Sequence, residues 1–415
     1  MVGGGRWSPH HYHAPLMSDR FASRTTRLRS SAIRDLLKVT EMSDMLSLAG
    51  GLPTPDSFPL PDLRREADRL LGEFGPRVVQ YSATDGVPEL RRWIASTYST
   101  VLGREVAVDG EIVVTHGSQQ ALDLLAKVLV DPGDVVVSES PAYLGAVQAI
   151  ELFEPRFEVI PGDEHGMRVE LLAERLAAGL RPKFVYVVPN FHNPSGATMS
   201  LDRRRLLAEL ADRYDVLVVE DDPYGAIRFA GEPLPPVAAF SANVVHLSTF
   251  SKIVAPGFRV GWMIGPPDVM SWVTRAKQAA DLHTATFAQL LLANVVDRPG
   301  WLDEQKARIV PMYRDRCHAL ADALESAFGD RIRFHRPEGG MFLWTEFDDV
   351  PDTKVLLQHA VEAGVAFVPG SAFTIDQQPD GKARLSYSTL APAQLGEAVR
   401  RLSVGLDAHD RGLRR

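Results

Sequence analysis

The chain has little of several features that define whole classes of proteins. Its 415 residues include one cysteine, Cys317, so an internal disulfide is excluded and a reducing cytoplasm is the expected compartment. No apolar run reaches the roughly 18 residues that a membrane-spanning helix needs. Residues 1–19 lack the apolar segment of a signal peptide. We therefore expect a cytoplasmic protein that has no membrane partner.

An excess of positive charge is also missing. The chain has 45 basic and 53 acidic residues, which gives a net charge of −8, and these charges are spread along the sequence. A nucleic-acid-binding surface would be basic, so we predict no nucleic-acid partner. No internal repeat or low-complexity block is visible. The composition, 45% hydrophobic and 24% charged, is that of an ordinary globular protein long enough for two domains.

The first residues differ in composition from the rest. They include Gly3-Gly4-Gly5 and the histidines His10, His11 and His13. Clustered histidines can bind a metal, but no acidic or thiolate residue accompanies them. We therefore predict a disordered tail over residues 1–20 and no metal site, and Met17 could be the natural start instead of Met1.

From residue 61 onwards, β-branched runs alternate with helix-like segments, which predicts a mostly parallel sheet with helices on both faces. The predicted strands are 112–115, 135–138, 157–160, 183–188, 216–220, 244–247 and 260–265. The last of these follows its predecessor too closely for a helical crossover, so it is expected to be antiparallel. The predicted helices are 27–40, 61–71, 88–102, 118–129 and 201–214.

A second, smaller domain is predicted after a long helix over residues 301–328. Its expected strands are 332–334, 341–345, 366–368 and 383–386. We predict an N-terminal helix and loop over 21–60 that joins the small domain, a large domain over 61–300 and the small domain over 301–415.

Lys252 lies in the most informative stretch of the chain, residues 248–262. It follows the hydroxylic residues Thr249 and Ser251 and precedes Arg259 by seven positions, between two apolar, strand-like runs. An amine among apolar neighbours has a lowered pKa and can act as a nucleophile, while hydroxyls and a guanidinium suit a phosphate. Pyridoxal 5'-phosphate (PLP) needs such an amine beside a phosphate site.

Two further predicted strands lead to polar residues. Residues 183–188 precede Asn193, and residues 216–220 precede Asp221 and Tyr224. Because open α/β sheets bind ligands at the carboxyl ends of their strands, we expect these side chains to meet Lys252 at one edge. In PLP enzymes an aspartate keeps the pyridine nitrogen protonated, an amide and a tyrosine hydroxyl hold the ring oxygen, and a lysine binds the aldehyde.

Taken together, these motifs resemble the class I/II aminotransferases, PLP enzymes of fold type I, and within them the 2-aminoadipate (LysN-like) and kynurenine aminotransferase branch. The resemblance runs from about Arg27 to Leu402. It implies a seven-stranded, mostly parallel sheet with helices on both faces and a smaller α+β domain. The motifs, in the order of the family, are 49–53, 80–86, 117–120, 193–196, 221–224, the Lys252 stretch and 384–387.

The resemblance also implies roles around the cofactor. Lys252, Asp221 and Tyr224 would be catalytic, Tyr143 would stack on the PLP ring, and Asn193 and Tyr224 would hold its oxygen. The phosphate would be bound by Gly117, Ser118, Gln119, Thr249, Ser251 and Arg259, and by Tyr81 of the neighbouring subunit. Independently of the family, a Gly-Ser-Gln sequence between a strand and a helix favours an anion. A homodimer with shared active sites follows from the role of Tyr81.

Arg384 is the expected anchor of the substrate. A guanidinium grips a carboxylate through two parallel hydrogen bonds, which a lysine cannot do, and the family uses this position, with Asn193, for the α-carboxylate. Gly51 would let the N-terminal loop approach the substrate. Arg34 would meet an acidic side chain or would be a surface residue of a helix.

Several aromatic residues leave the chemical class of the substrate's side chain undecided. Phe21, Tyr224 and Phe367 could equally favour an aromatic substrate, so the sequence does not decide between an acidic and an aromatic amino acid.

The leading prediction is a PLP-dependent aminotransferase that moves an amino group from an α-amino acid to a 2-oxo acid, with 2-oxoglutarate as the expected acceptor and ping-pong kinetics. The alternative is a PLP lyase, replacement or cyclising enzyme of specialised biosynthesis on the same scaffold, because both chemistries need Lys252 and Asp221. A transcription regulator is not expected, since only about 26 residues precede the resemblance and a DNA-binding domain needs ~60.

Overall fold

The computed structural model describes residues 20–28 and 44–413. The strands are β1 (Leu46–Ser47), β2 (Ile112–Thr115), β3 (Val135–Ser140), β4 (Arg156–Asp163), β5 (Gly166–Met167), β6 (Phe184–Val187), β7 (Leu217–Asp221), β8 (Val244–Thr249), β9 (Gly261–Ile264), β10 (Ile332–Phe334), β11 (Phe342–Phe347), β12 (Val365–Ala366), β13 (Val368–Pro369) and β14 (Lys382–Ser386).

The α-helices are α1 (Leu60–Phe74), α2 (Pro88–Leu102), α3 (Gly117–Leu129), α4 (Leu144–Glu151), α5 (Val169–Ala177), α6 (Leu201–Tyr214), α7 (Pro267–Asp281), α8 (Thr286–Val296), α9 (Trp301–Phe328), α10 (Thr353–Glu362) and α11 (Pro392–Leu413). Among the described helices, none is long and apolar enough to cross a bilayer. Residues 1–19 of the predicted tail over 1–20, and residues 29–40 of the helix predicted over 27–40, lie outside the described residues.

The central sheet has the strand order β2-β9-β8-β7-β6-β3-β4-β5. Strands β4, β3, β6, β7 and β8 are parallel to one another, and β9 is antiparallel to both of its neighbours. Its seven longer strands are those predicted from the sequence, including the antiparallel one. The two-residue strand β5, which returns from the end of β4, is an addition that so short a segment could not signal.

Burial on both faces explains why these strands have apolar sequences without alternation. Successive residues of a strand point to opposite faces, and they enter two different apolar clusters here. Val114 and Val185 belong to one cluster, while Val113 and Tyr186 belong to the other. The helices that cover the two faces leave the carboxyl ends of the strands free for a site.

A second, smaller sheet has the order β10-β11-β14-β13 and is antiparallel throughout. It shares its own apolar cluster with α9, α10 and α11. The prediction of one strand over 366–368 was wrong. Val365–Ala366 pairs with β1, whereas Val368–Pro369 pairs with β14. The buried residue Phe367 lies between these two short strands, where the chain changes from one pairing partner to the other. The domain boundaries given above remain predictions.

Candidate active site

The carboxyl ends of the central strands surround a cavity of about 490 Å³. The end of β7 supplies Asp221, the segment after β8 supplies Lys252, and α3 begins at the same edge. Among the residues that line the cavity are Ser118, Gln119, Tyr143, Asn193, Asp221, Tyr224, Thr249, Ser251, Lys252 and Arg259. Larger cavities, of about 730, 680, 600 and 580 Å³, lie elsewhere and are not lined by Lys252. The residues that line the Lys252 cavity, and not its volume, therefore identify it as the candidate active site.

The Lys252 side chain ends beside the N-terminal loop. Its Nζ donates a hydrogen bond to the carbonyl oxygen of Gly51 at 2.9 Å and lies 5.8 Å from the centroid of the Tyr224 ring. Burial of the amino group lowers the pKa of Lys252 to about 8, and the positive charges of Arg384 and Arg259 act in the same direction. A neutral, nucleophilic amine is therefore available at a mildly alkaline pH.

Asp221 is a buried carboxylate with one unused oxygen. Its Oδ2 accepts a hydrogen bond from the Tyr186 hydroxyl at 3.0 Å, whereas Oδ1 has no partner among the described residues. Burial raises the pKa of Asp221 to about 6, despite the hydrogen bond from Tyr186. A buried anionic oxygen of this kind needs a positively charged donor, and a protonated pyridine nitrogen fits that need.

The start of α3 and Arg259 form a cradle for an anion. Gly117 has a φ of +72°, and a Cβ at this position would lie 2.9 Å from Nη2 of Arg259, so glycine is needed for the guanidinium to come this close. Nη2 of Arg259 donates to the carbonyl of His116 at 3.3 Å. Ser118 Oγ is buried and has no partner in the described part of the chain. The helix N-terminus, this hydroxyl and the guanidinium together fit a phosphate group.

Asn193 and Tyr224 present hydrogen-bond donors to the cavity. The Asn193 side chain accepts a hydrogen bond from Nη1 of Arg384 through Oδ1 at 2.8 Å, which leaves its Nδ2 group to donate. Burial raises the pKa of Tyr224 above its ordinary value, so its hydroxyl remains protonated. Two such donors fit the ring oxygen of PLP. Tyr143, whose pKa burial raises to about 12, also lines the cavity.

Arg384, on β14, is a buried cation that lies close to two aromatic rings. Its guanidinium carbon lies 4.3 Å from the Phe342 ring centroid and 5.0 Å from that of Phe373. Nη2 donates to the carbonyl of Ala49 at 2.6 Å, and Nε has no partner among the described residues. Burial lowers the pKa of Arg384 to about 10. A buried guanidinium with neutral neighbours is costly until an anion pairs with it, which is what a substrate carboxylate would supply.

The remaining predicted site residues have different positions. Tyr81 is outside the cavity and 78% exposed, with its ring centroid 5.6 Å from that of His283. Gly51 fits closely against Phe342, since a Cβ there would lie 2.8 Å from Cζ of that ring. Arg34 lies outside the described residues.

The aromatic residues proposed as alternative determinants do not meet at the site. Phe21 is exposed, and Phe367 is fully buried in the apolar cluster of the smaller sheet. Of the three aromatic residues, only Tyr224 lines the cavity of Lys252.

Sequence reasoning missed Tyr186 and the two phenylalanines close to Arg384. Phe342 lies at the start of β11, opposite Ser386, so its proximity to Arg384 depends on strand pairing. For Tyr186 a signal did exist, because a hydroxyl inside a wholly buried strand requires a hydrogen-bond partner.

Comparisons with known proteins agree with this geometry. The family described as aminotransferase class I and II matches residues 43–402. The aromatic-amino-acid aminotransferase 1 of Thermococcus litoralis is 40% identical over 393 residues, which cover 92% of this chain and 93% of that protein. The chain belongs to the class I and II aminotransferases.

Two solved structures support the membership of the aminotransferase family. The kynurenine aminotransferase of Pyrococcus horikoshii, solved in complex with PMP, KYN and KYA, is 40% identical, with a TM-score of 0.89 and coverage of 94% of this chain and 97% of that one. LysN, the α-aminoadipate aminotransferase of Thermus thermophilus, solved with N-(5'-phosphopyridoxyl)-L-leucine, is 37% identical, with a TM-score of 0.86 and coverage of 94% and 97%.

These matches confirm the resemblance, the fold class, the PLP cofactor and the transfer of an amino group between an amino acid and a 2-oxo acid. They do not favour the alternative of a lyase, replacement or cyclising enzyme.

Proposed function

We propose that the Lys252 cavity is the PLP site of this aminotransferase. The observation that carries the proposal is the meeting of an amine of lowered pKa with the unused Oδ1 of Asp221 in one cavity. The cradle formed by Gly117, Ser118 and Arg259 would take the phosphate. Bound PLP withdraws electrons from the Cα atom of the attached amino acid, which makes the Cα proton removable.

Lys252 has the central role in this proposal. Its Nζ would bind the cofactor's aldehyde carbon and, when displaced by the substrate's amino group, would take the proton from the substrate's Cα. The lowered pKa of Lys252 supports this role, because a base is most effective when its pKa is close to the working pH. Asp221 would keep the ring nitrogen protonated, and Asn193 with Tyr224 would donate to the ring oxygen.

Arg384 and Asn193 would bind the α-carboxylate that the amino acid and the 2-oxo acid have in common. One site can then serve both half-reactions in turn, so we propose ping-pong kinetics with 2-oxoglutarate as the acceptor. The named relatives act on aromatic amino acids, kynurenine and 2-aminoadipate, and these are the first donors to test.

Replacing Arg384 with lysine should lower kcat/KM by about 100-fold for every amino acid and 2-oxo acid alike, because an ammonium cannot form the two parallel bonds to the common carboxylate. Steady-state kinetics with a panel of donors and acceptors measure this effect. The matched control is Arg316→Lys, a buried arginine whose Nη1 donates to the carbonyl of Ser388. A loss confined to acidic substrates would show instead that Arg384 reads a side chain.

We also propose that the protein is a homodimer with active sites shared between subunits. Tyr81 and its neighbour Val79 are 78% and 70% exposed, and Leu52, which lines the cavity, and Leu282 are 53% and 52% exposed. Tyr81 contacts His283, the residue after Leu282, and exposed apolar side chains that lie together are typical of a surface that another chain covers. In such a dimer Tyr81 would reach the phosphate in the partner's site.

Mixing two inactive variants tests the sharing of sites. Dimers formed from Lys252→Ala and Tyr81→Ala subunits should recover up to about a quarter of wild-type activity, since half of randomly paired dimers are hybrids and each hybrid has one intact site. Activity is measured after subunit exchange has been verified by native mass spectrometry. An inactive mixture in which hybrids are present would rule out the donation of Tyr81 across the interface.

Two wider expectations remain proposals. Cys317 is buried and unpaired, which agrees with a reducing compartment, and the net charge of −8 gives no support to a nucleic-acid partner. We propose a cytoplasmic enzyme of amino-acid metabolism that binds no nucleic acid.

A further inference from the structure

Tyr186 faces the cofactor cavity's aspartate from the neighbouring strand. In the pairing of β6 with β7, Tyr186 lies opposite Val219. Residues two apart on a strand point to the same face, so Val219, Asp221 and Tyr186 share one face of the sheet. The register of two parallel strands therefore brings a phenol hydroxyl to a carboxylate 35 positions further along the chain.

In the hydrogen bond between Tyr186 and Asp221, the tyrosine is the donor and the aspartate is the acceptor. Tyr186 is 1% exposed and Asp221 is 2% exposed. Burial, followed by the charge of Asp221, raises the pKa of Tyr186 well above its ordinary value, so its hydroxyl remains protonated and donates. The acceptor is Oδ2 at 3.0 Å. The other oxygen, Oδ1, is buried and has no hydrogen-bond partner among the described residues.

The charges around Asp221 do not explain how it stays ionised. Its sequence neighbour Asp222 carries a like charge that opposes ionisation. The positive charge of His246 helps, but the ring is already hydrogen-bonded to Glu220, with 3.1 Å between Nδ1 and Oε2. Two hydroxyl groups favour the charged form of Asp221: that of Tyr186, which donates to Oδ2 at 3.0 Å, and, to a lesser extent, that of Ser118.

We propose that Tyr186 is a positioning residue that fixes the Asp221 carboxylate through Oδ2, holds it ionised and turns Oδ1 towards the cofactor's ring nitrogen. The inference rests on the proposed function, since it takes Asp221 as the partner of that nitrogen. Tyr186 would not touch the cofactor or the substrate itself. It would set how strongly Asp221 competes with the ring nitrogen for their shared proton, and so how well the ring withdraws electrons.

Removing the Tyr186 hydroxyl should shift the pH titration of the bound cofactor in a direction that can be predicted. In a Tyr186→Phe variant, Asp221 loses a hydrogen bond that favours its charged form and becomes a stronger proton acceptor. The shared proton then moves from the ring nitrogen towards Oδ1, and the ring withdraws electrons less strongly. The Lys252 nitrogen bonded to the cofactor becomes more basic as a result. The pH titration of the visible absorption band should shift to higher pH.

The experiment compares PLP-loaded wild-type and Tyr186→Phe protein by absorbance between pH 5 and pH 10, by PLP affinity and by kinetics. We expect the shift to higher pH, a kcat about tenfold lower and an almost unchanged KM for the 2-oxo acid. Tyr387→Phe is the matched control, because it removes a buried hydroxyl that donates to the carbonyl of Gly339 at 2.9 Å. Its titration should superimpose on that of the wild type.

A second variant keeps the shape of the tyrosine side chain, so a folding defect would not explain its effect on the titration. Fluorinated tyrosine at position 186 has the same shape but is a stronger donor, so it should shift the titration to lower pH, opposite to phenylalanine. Titrations that superimpose for wild-type, phenylalanine and fluorotyrosine proteins would overturn the inference and leave Tyr186 a packing residue. A wild-type protein that gains no visible band from added PLP would overturn the proposed cofactor site itself, and the inference with it.

Discussion

Replacing Lys252 with alanine is expected to reduce turnover by roughly 10⁴-fold or more, because one change removes both the cofactor's attachment point and the base at the substrate's Cα. The phosphate cradle and Asp221 remain, so the variant should still bind PLP, but without a covalent bond. Turnover is measured with saturating donor and acceptor, and retention of the cofactor is measured by denaturing and native mass spectrometry.

Lys252→Arg serves as a second variant because it keeps a positive charge near Gly51 but has no nucleophilic amine. It should be as inactive as the alanine variant. Lys306→Ala, which changes a partly exposed lysine on α9, should leave turnover unchanged. Substantial turnover by either Lys252 variant would show that the chemistry belongs to another amine.

The second large effect is expected for Asp221→Asn. An amide cannot hold a proton on the pyridine nitrogen, so kcat should fall by about 100-fold or more. PLP should remain bound through Lys252 and the phosphate cradle. Pre-steady-state measurement of the first half-reaction separates this loss from any change in substrate binding.

Asp222→Asn provides the matched comparison for Asp221→Asn. Asp222 accepts a hydrogen bond from the backbone N–H of Gly225 at 2.8 Å and lines a different cavity from that of Lys252. Its loss should affect turnover far less. If the order of the two effects were reversed, the assignment of the ring's partner would pass from Asp221 to Asp222.

The parts of the fold that the sequence made predictable are those with strong local signals. The strand Val244–Thr249 is buried at every position and has apolar residues on both of its faces, as is typical of a central strand. The site followed from the same logic, since groups placed at the carboxyl ends of parallel strands must lie close together. Asn193, Asp221 and Lys252 indeed line one cavity.

The parts that could not be predicted depend on pairing between distant segments. Nothing local in residues 366–368 shows that Ala366 pairs with β1 and Val368 with β14. The aromatic rings close to Arg384 belong to Phe342 and Phe373, which lie far from each other in the sequence. Tyr186 meets Asp221 only once the register of β6 and β7 is known. Arg34, the candidate reader of an acidic side chain, lies outside the described residues.

A single-turnover experiment tests the central claim, amino-group transfer at the Lys252 site, most directly. PLP-loaded protein is mixed with an aromatic amino acid, kynurenine or 2-aminoadipate, with no 2-oxo acid present. We predict one equivalent each of 2-oxo acid product and pyridoxamine phosphate per site, after which the reaction stops until 2-oxoglutarate is added. Repeated turnover of the donor with no acceptor present would contradict transamination and restore the lyase or replacement chemistry as the reaction of this site.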